Sequence, residues 1–199
     1  MVPDMSADIR QRCLEEATRL FVAHGYHGIS MRAIAERVGV SKANLYHHFR
    51  DKEALFLAVL EANLARLDAI VHDARHRAVT PREQITHLLL GLAACAPEQR
   101  AIIRLADQEL GQIGPEARQT FARLYHERFT GPIEAILREG MATGELRPVD
   151  VQSATWALLG MVYPFFHPAA EEVPPPTAAT IELLVSIFFD GLTPREGSG

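Results

Sequence analysis

Two cysteines in 199 residues, Cys13 and Cys95, are too few to staple a scaffold, and each stands inside an apolar helical pattern. That count argues against a disulfide-built fold and fits a reducing cytoplasm, the expected compartment. The opening "MVPDMSADIRQRC" has no apolar h-region, so no signal peptide is expected. Nowhere does an apolar run approach the roughly 18 residues of a membrane span. The longest runs are interrupted by Gly160, Pro164 and Pro168. No segment alternates apolar and polar residues convincingly as a strand, and none repeats. Also missing are a phosphate-cradling glycine loop, a Gly-x-Ser-x-Gly elbow and a His-Glu-x-x-His pair. The commonest enzyme signatures are therefore absent. No catalytic residue, metal set or cofactor is expected, and no membrane partner. His72 and His76 do have metal-ligand spacing on a helix, but no third ligand stands nearby in sequence, which favours a solvated pair. The rival functional reading is a helical adaptor or a metal-binding enzyme without DNA binding.

What is present is helix. Hydrophobic residues make up 48% of the chain and charged ones 23%, enough of each for an ordinary globular core. Ile9, Cys13, Ala17, Leu20, Phe21 and His24 recur at three- and four-residue spacing, and Gly25 supplies a stop. Ser30 is placed to cap a second helix, Met31 to Val38. Ser41 is placed to cap a third, whose inward residues are Leu45 and Phe49. A longer helix restarts at Asp51 with Leu55, Val59, Leu60, Leu64, Leu67 and Val71 along one side. Pro81 suits the first turn of the next, and Pro97 ends it before a short helix through Leu105 to Leu110. Glu116 to Met141 reads as one long segment that Gly131-Pro132 kinks or splits. Two final helices, near Asp150 to Phe166 and Thr177 to Leu192, flank an extended "HPAAEEVPPP" linker. The fold class is all-α, with about nine helices.

Charge is distributed unevenly along this chain. The net formal charge is −5, yet residues 1–60 hold eight Lys/Arg against seven Asp/Glu, leaving the remainder at −6. Arg32 to Lys52 carries five basic residues and two acidic ones, with His47 and His48 besides. A confined basic patch on an acidic chain suits a local polyanion site. That patch falls on "SMRAIAERVGVSKANLYHHF". There Gly39 supplies the left-handed residue a helix-turn-helix needs at its turn, and Ala35 the small residue at the crossing. Ile34, Val38, Val40 and Leu45 form the inward set. Lys42, Ala43, Asn44, His47 and His48 are left on the outer side, where donors and small residues suit base edges and phosphates in a major groove.

"SMRAIAERVGVSKANLYHHFRDKEALF", with the preceding "AxxLFxxHGYxGIS" positions, resembles the DNA-binding segment of the TetR family of bacterial transcriptional regulators over roughly residues 9–60. The resemblance implies a helix-turn-helix DNA-binding domain over 1–51 and an effector-binding and dimerisation domain over 52–199. It implies a ligand-responsive regulator, a repressor by default, that releases a palindromic operator when a small effector binds. Ser30, Ser41, Tyr46, His48 and Lys52 match positions that hold backbone phosphates. Arg32, Lys42, Ala43, Asn44 and His47 match positions that face bases. A glycine followed by threonine, alanine or serine is commoner where Ala43-Asn44 stand, so a relative's operator sequence does not transfer.

Beyond residue 60 the family match is one of outline. Both terminal helices are apolar on more than one face, which predicts that each buries two sides, one of them against a two-fold copy. Ala154, Leu158, Met161, Phe165, Ile181, Leu184, Val185 and Phe188 are the expected homodimer contacts, and Gly160 allows close approach. A dimer meets two half-sites about 34 Å apart at once. A mostly apolar effector cavity is expected among Leu67, His87, Ile102, Leu105, Glu109, Phe121, Tyr125, Trp156 and Tyr163.

Overall fold

The computed structural model describes residues 5–95, 97–166 and 176–192. Among them all regular structure is helical: α1 (Met5–His24), α2 (Met31–Val38), α3 (Lys42–His48), α4 (Lys52–Arg77), α5 (Pro81–Ala93), α6 (Pro97–Glu109), α7 (Pro115–Tyr125), α8 (Gly131–Ala142), α9 (Val151–Phe166) and α10 (Ala178–Leu192). A π-helical turn, His126–Thr130, joins α7 to α8, so the described residues form nine rods. No helix among them is long and apolar enough to cross a membrane. The extended linker expected between the last two helices lies outside the described residues except for Pro176.

Side-chain caps set several helix starts. Thr80 and Glu83 form a reciprocal capping box at α5, with Pro81 in its first turn. The Asp150 carboxylate accepts from the Ser153 N–H at 2.8 Å, and the Thr177 hydroxyl accepts from the Thr180 N–H at 3.2 Å. Those two residues precede α9 and α10 rather than belong to them. Pro97 opens a thirteen-residue α6, longer than the short helix the pattern implied. A one-turn 3-10 helix, Leu110–Gln112, follows it. At Gly131-Pro132 the ladder shifts register instead of breaking: the Gly131 N–H donates to the His126 carbonyl, five residues back. A Cβ at Gly131 would stand 2.8 Å from that same oxygen, so glycine is what lets the turn close. Pro164 lies inside α9 without ending it; both it and Gly160, whose carbonyl loses its donor, face solvent.

The chain divides into two compact units. The first takes in Met1–Asn63 and Pro97–Leu124. Here α1 packs on α2 and on α6, and α2 on α3. Phe21 and Phe56, both fully buried, meet edge to face at 5.2 Å, with Tyr26 at 5.0 Å from Phe56. The second unit takes in Leu64–Ala96 and Tyr125–Gly199. In it α5 packs on α8 and α10, and α9 on α8. Ile85, Leu88, Leu89, Ile133, Ile136, Leu137, Leu158 and Phe189 form its core, each no more than 1% exposed.

Asp51 caps α4, its carboxylate accepting from the Ala54 N–H at 2.7 Å. That bond first, helped by Arg50 against the effect of burial, holds the Asp51 carboxyl below its ordinary range. A depressed carboxylate stabilises the fold above its unfolded pKa, and the benefit fades as pH falls through the folded value. Asp51→Ala should therefore lower stability by about 1 kcal/mol near neutral pH. Chemical-denaturation curves of parent and variant should converge in acid.

Candidate nucleic-acid interface

The helix-turn-helix geometry starts from α2. Ser30 sits in the extended region and its hydroxyl accepts from the Ala33 N–H at 3.2 Å. Met31, Ile34, Ala35 and Val38 turn inward. Gly39 then takes φ 78°, and its N–H reaches the carbonyls of Ala35 and Glu36, while the Val40 N–H also returns to Ala35. The Arg12 guanidinium, from α1, donates to the Val38 carbonyl at 2.9 Å and ties that turn to the first helix. Ser41 caps α3 by accepting from the Asn44 N–H at 3.1 Å. Leu45 is the one buried residue of α3, and Phe49 is buried just beyond it.

With Leu45 inward, Lys42, Ala43, Tyr46 and His47 are exposed, and Asn44 and His48 half-buried. Lys42 holds its ammonium 5.6 Å from the Tyr46 ring centre, which steers two donors toward the same side. Ser30 and Ser41 use an oxygen lone pair for their caps and keep their own O–H free to donate to an anion. The Asn44 side-chain oxygen is buried and has no hydrogen-bond partner among the described residues. Pairing through both amide atoms, as adenine requires, therefore needs a turn of its terminal torsion. Arg32 is exposed but bound to Glu36 at 2.7 Å, an i,i+4 pair that must open before it reaches a base.

Lys52 is less free. It is half-buried, with its ammonium 4.6 Å from the Tyr26 ring centre. Loss of water pushes its pKa down, and the Glu109 carboxylate acts against that shift. The Tyr26 phenol is pushed up, by burial first and then by Glu53 and Asp51. Glu53 accepts from the Gly114 N–H at 2.7 Å. Residue types alone gave no signal for that contact.

The expected effector residues fall in both units. Ile102, Leu105 and Phe121 are buried, and Glu109 half-buried, in the first; Leu67 is buried and Tyr125 half-buried in the second. His87, Trp156 and Tyr163 are exposed in their unit. For α9 the reason is phase: the seven-residue spacing that aligns Trp156 with Tyr163 sets both away from buried Leu158 and Val162. An open apolar groove does run beside the start of α9 and the end of α10, lined by residues including Val149, Ala157, Met161, Ile187 and Leu192. None of the nine expected cavity residues lines it.

The expected dimer residues differ in burial within the single chain. Ala154, Leu158, Ile181, Val185 and Phe188 are buried within the unit, and Met161, Phe165 and Leu184 half-buried. Trp156 and Tyr163 on α9, and Leu183 and Ile187 on α10, are large apolar residues left 46–59% exposed. The His72 and His76 rings stand 3.9 Å apart, and no third His, Cys, Asp or Glu joins them among the described residues.

Comparison with known proteins matches two stretches of the chain. Residues 14–59 match the family model of bacterial regulatory proteins, tetR family, and residues 78–165 that of a tetracyclin repressor-like C-terminal domain. The chain is similar to the HTH-type transcriptional repressor AcnR of Corynebacterium diphtheriae, 38% identical over 94 residues. That match covers 40% of this chain and 50% of the repressor, so the chain spans about half the length of that curated relative. It is similar along most of its length to the HTH-type transcriptional regulator RutR of Escherichia coli, 29% identical over 213 residues, covering 94% and 91%. The crystal structure of the regulator PfmR from Thermus thermophilus superposes with a TM-score of 0.75 at 29% identity, covering 92% of this chain and all of that one.

Proposed function

The chain belongs to the tetR family of bacterial regulatory proteins, and from that premise we propose that it is a ligand-responsive, DNA-binding transcriptional regulator that acts as a repressor and catalyses no reaction. The observation that carries the reading is the outward face of α3. Lys42, Ala43, Tyr46 and His47 stand exposed on a seven-residue helix whose only buried side chain is Leu45. A helix this short, anchored on one side and lined with donors on the other, has the dimensions of a major-groove probe. Lys42, Ala43, Asn44, His47 and, once freed from Glu36, Arg32 face base edges in this reading. Ser30, Ser41, Tyr46, His48 and Lys52 hold phosphates.

Residues 1–51 supply the DNA-binding head and 52–199 the effector and dimer functions. Two heads of a homodimer engage a palindromic operator. A small, mostly apolar effector favours a dimer whose heads are misplaced for the two half-sites, which releases DNA.

The test is binding to the promoter DNA beside its own gene across a salt series, with Lys52→Ala and Asn44→Ala alongside. Selective binding with a steep salt slope is expected. Lys52→Ala should weaken all duplexes alike and reduce the slope by about 1, while Asn44→Ala should narrow the gap between operator and random DNA. Absence of selectivity and of salt dependence, repeated on a genomic fragment pool with ligand-stripped protein, overturns the reading.

A further inference from the structure

Lys52 lies at the start of α4, within reach of two other parts of its own compact unit. Its ammonium rests over the Tyr26 ring, which is packed by Phe21, Phe56 and His27. Next to Tyr26, Gly25 takes φ 72°. A Cβ there would stand 2.7 Å from Glu109 Oε1, so the missing side chain is what admits the carboxylate to this turn. Glu109 ends α6, and five residues on, the Gly114 N–H donates to Glu53, the neighbour of Lys52 on α4. The 109–114 corner thus lies against the Gly25 turn at one end and is hydrogen-bonded to α4 at the other.

We propose that Glu109 competes with DNA phosphate for the Lys52 ammonium, making the 109–114 corner a built-in brake on the reading head. The inference rests on reading the head as DNA-binding and adds a residue that no base or phosphate touches. Other anions near this spot are otherwise engaged: Asp51 caps α4 and binds Arg50, and Glu53 binds the Gly114 N–H. The lowered pKa of Lys52 marks an ammonium partly stripped of water, and the charge acting against that shift is Glu109. A phosphate arriving from outside must draw the ammonium off Tyr26 and away from this carboxylate. Any event that lifts the last turn of α6 from Gly25 strengthens DNA binding; any event that presses it down weakens it. Glu109 is a positioning residue, acting on DNA only through Lys52.

The probe is a duplex enriched by the parent protein from a random-sequence pool, titrated across a salt series. Glu109→Gln should bind it roughly two- to five-fold more tightly than the parent, the range open to one partly screened pair. The slope of log K against log salt should steepen by the part of the Lys52–phosphate contact that the brake withholds in the parent, a fraction of the roughly 0.9 that one whole contact is worth. Both changes should vanish when Glu109→Gln is placed on Lys52→Ala, which a merely structural role or a general loss of negative charge does not predict. Glu109→Asp, which keeps the charge one methylene further back, should fall between parent and Glu109→Gln. Equal tightening in the Lys52→Ala background overturns the proposal, as does parent-like or weaker binding by a Glu109→Gln protein that melts like the parent. If Glu109→Gln does not fold, Glu109→Asp carries the test: a smaller tightening that Lys52→Ala abolishes supports the brake, and none overturns it. Failure of the parent to enrich any duplex tells against the DNA-binding reading itself and is a separate result.

Discussion

Leu45→Ala should cost the protein about a hundred-fold or more in operator affinity while the second compact unit stays folded. A helix of seven residues has no stability of its own in water, because nucleation consumes more than so few hydrogen bonds return. The Ser41 cap contributes about 1 kcal/mol and the Gly39 turn fixes the approach, but Leu45 is the only side chain of α3 that is buried, and it is fully so. Removing its isobutyl group should cost roughly 2 to 5 kcal/mol. Local opening of a short surface element takes only part of a domain's total of about 5 to 15 kcal/mol, so a loss of that size leaves α3 undocked for much of the time. Apparent affinity falls by the fraction of competent heads, and a dimer needs two. Hydrogen exchange should show α3 amides unprotected in the variant and those of α5 and α8 unchanged. Leu45→Met, which keeps the volume, should stay within about 1.5 kcal/mol of the parent and bind normally. Parent-like affinity in Leu45→Ala means that α3 is not the element that reads DNA.

What could be read from the sequence was local. Ser30, Ser41 and Gly39 act within three or four residues of themselves, and their capping and left-handed geometry appears where residue type required it. The inward set of the head follows from a 3.6-residue period with polar residues opposite, so Ile34, Val38 and Leu45 are assigned without ambiguity. The Glu53–Gly114 bond spans 61 residues, and no periodicity relates its two ends. Gly25 looked like a helix stop, and it is one, but it also clears space for Glu109, which the pattern had assigned to an effector cavity. In α9 and α10 the difficulty is of another kind. Where both faces of a helix are apolar, the period shows that two stripes exist and leaves open which one turns inward. Ala154, Leu158, Ile181, Val185 and Phe188 form the inward stripe because α5, α8 and each other's helix cover them, a tertiary fact.

That phase leads to the second large effect, expected at the exposed apolar residues. Six large hydrophobic residues are more than 40% exposed among the described ones, and four of them, Trp156, Tyr163, Leu183 and Ile187, lie on α9 and α10. Scattered exposed apolar side chains are ordinary on a monomer; four of six falling on two successive helices is a concentration that water disfavours. Gly160 stands on the same face as Trp156 and Tyr163 and has open space where a Cβ would be, so a second helix can approach closely there. In the homodimer proposed above, a two-fold copy would cover these residues with its own, giving a four-helix contact. Leu183→Arg would put a guanidinium into that contact on each copy, stripped of water and unpaired. Sedimentation at micromolar concentration should shift from dimer to monomer. Operator affinity should fall by about a hundred-fold or more, because each half-site is then bound alone and the effective concentration of the second head is lost. Thermal stability of the second unit should barely change, since Leu183 is 59% exposed in the single chain. Leu158→Ala makes the contrast: its side chain is 1% exposed, so it should lower the melting point first and weaken the dimer only through that loss. A Leu183→Arg protein that sediments as the parent does would move the two-fold contact off α9 and α10, and with it the account of how two heads are held one helical turn apart.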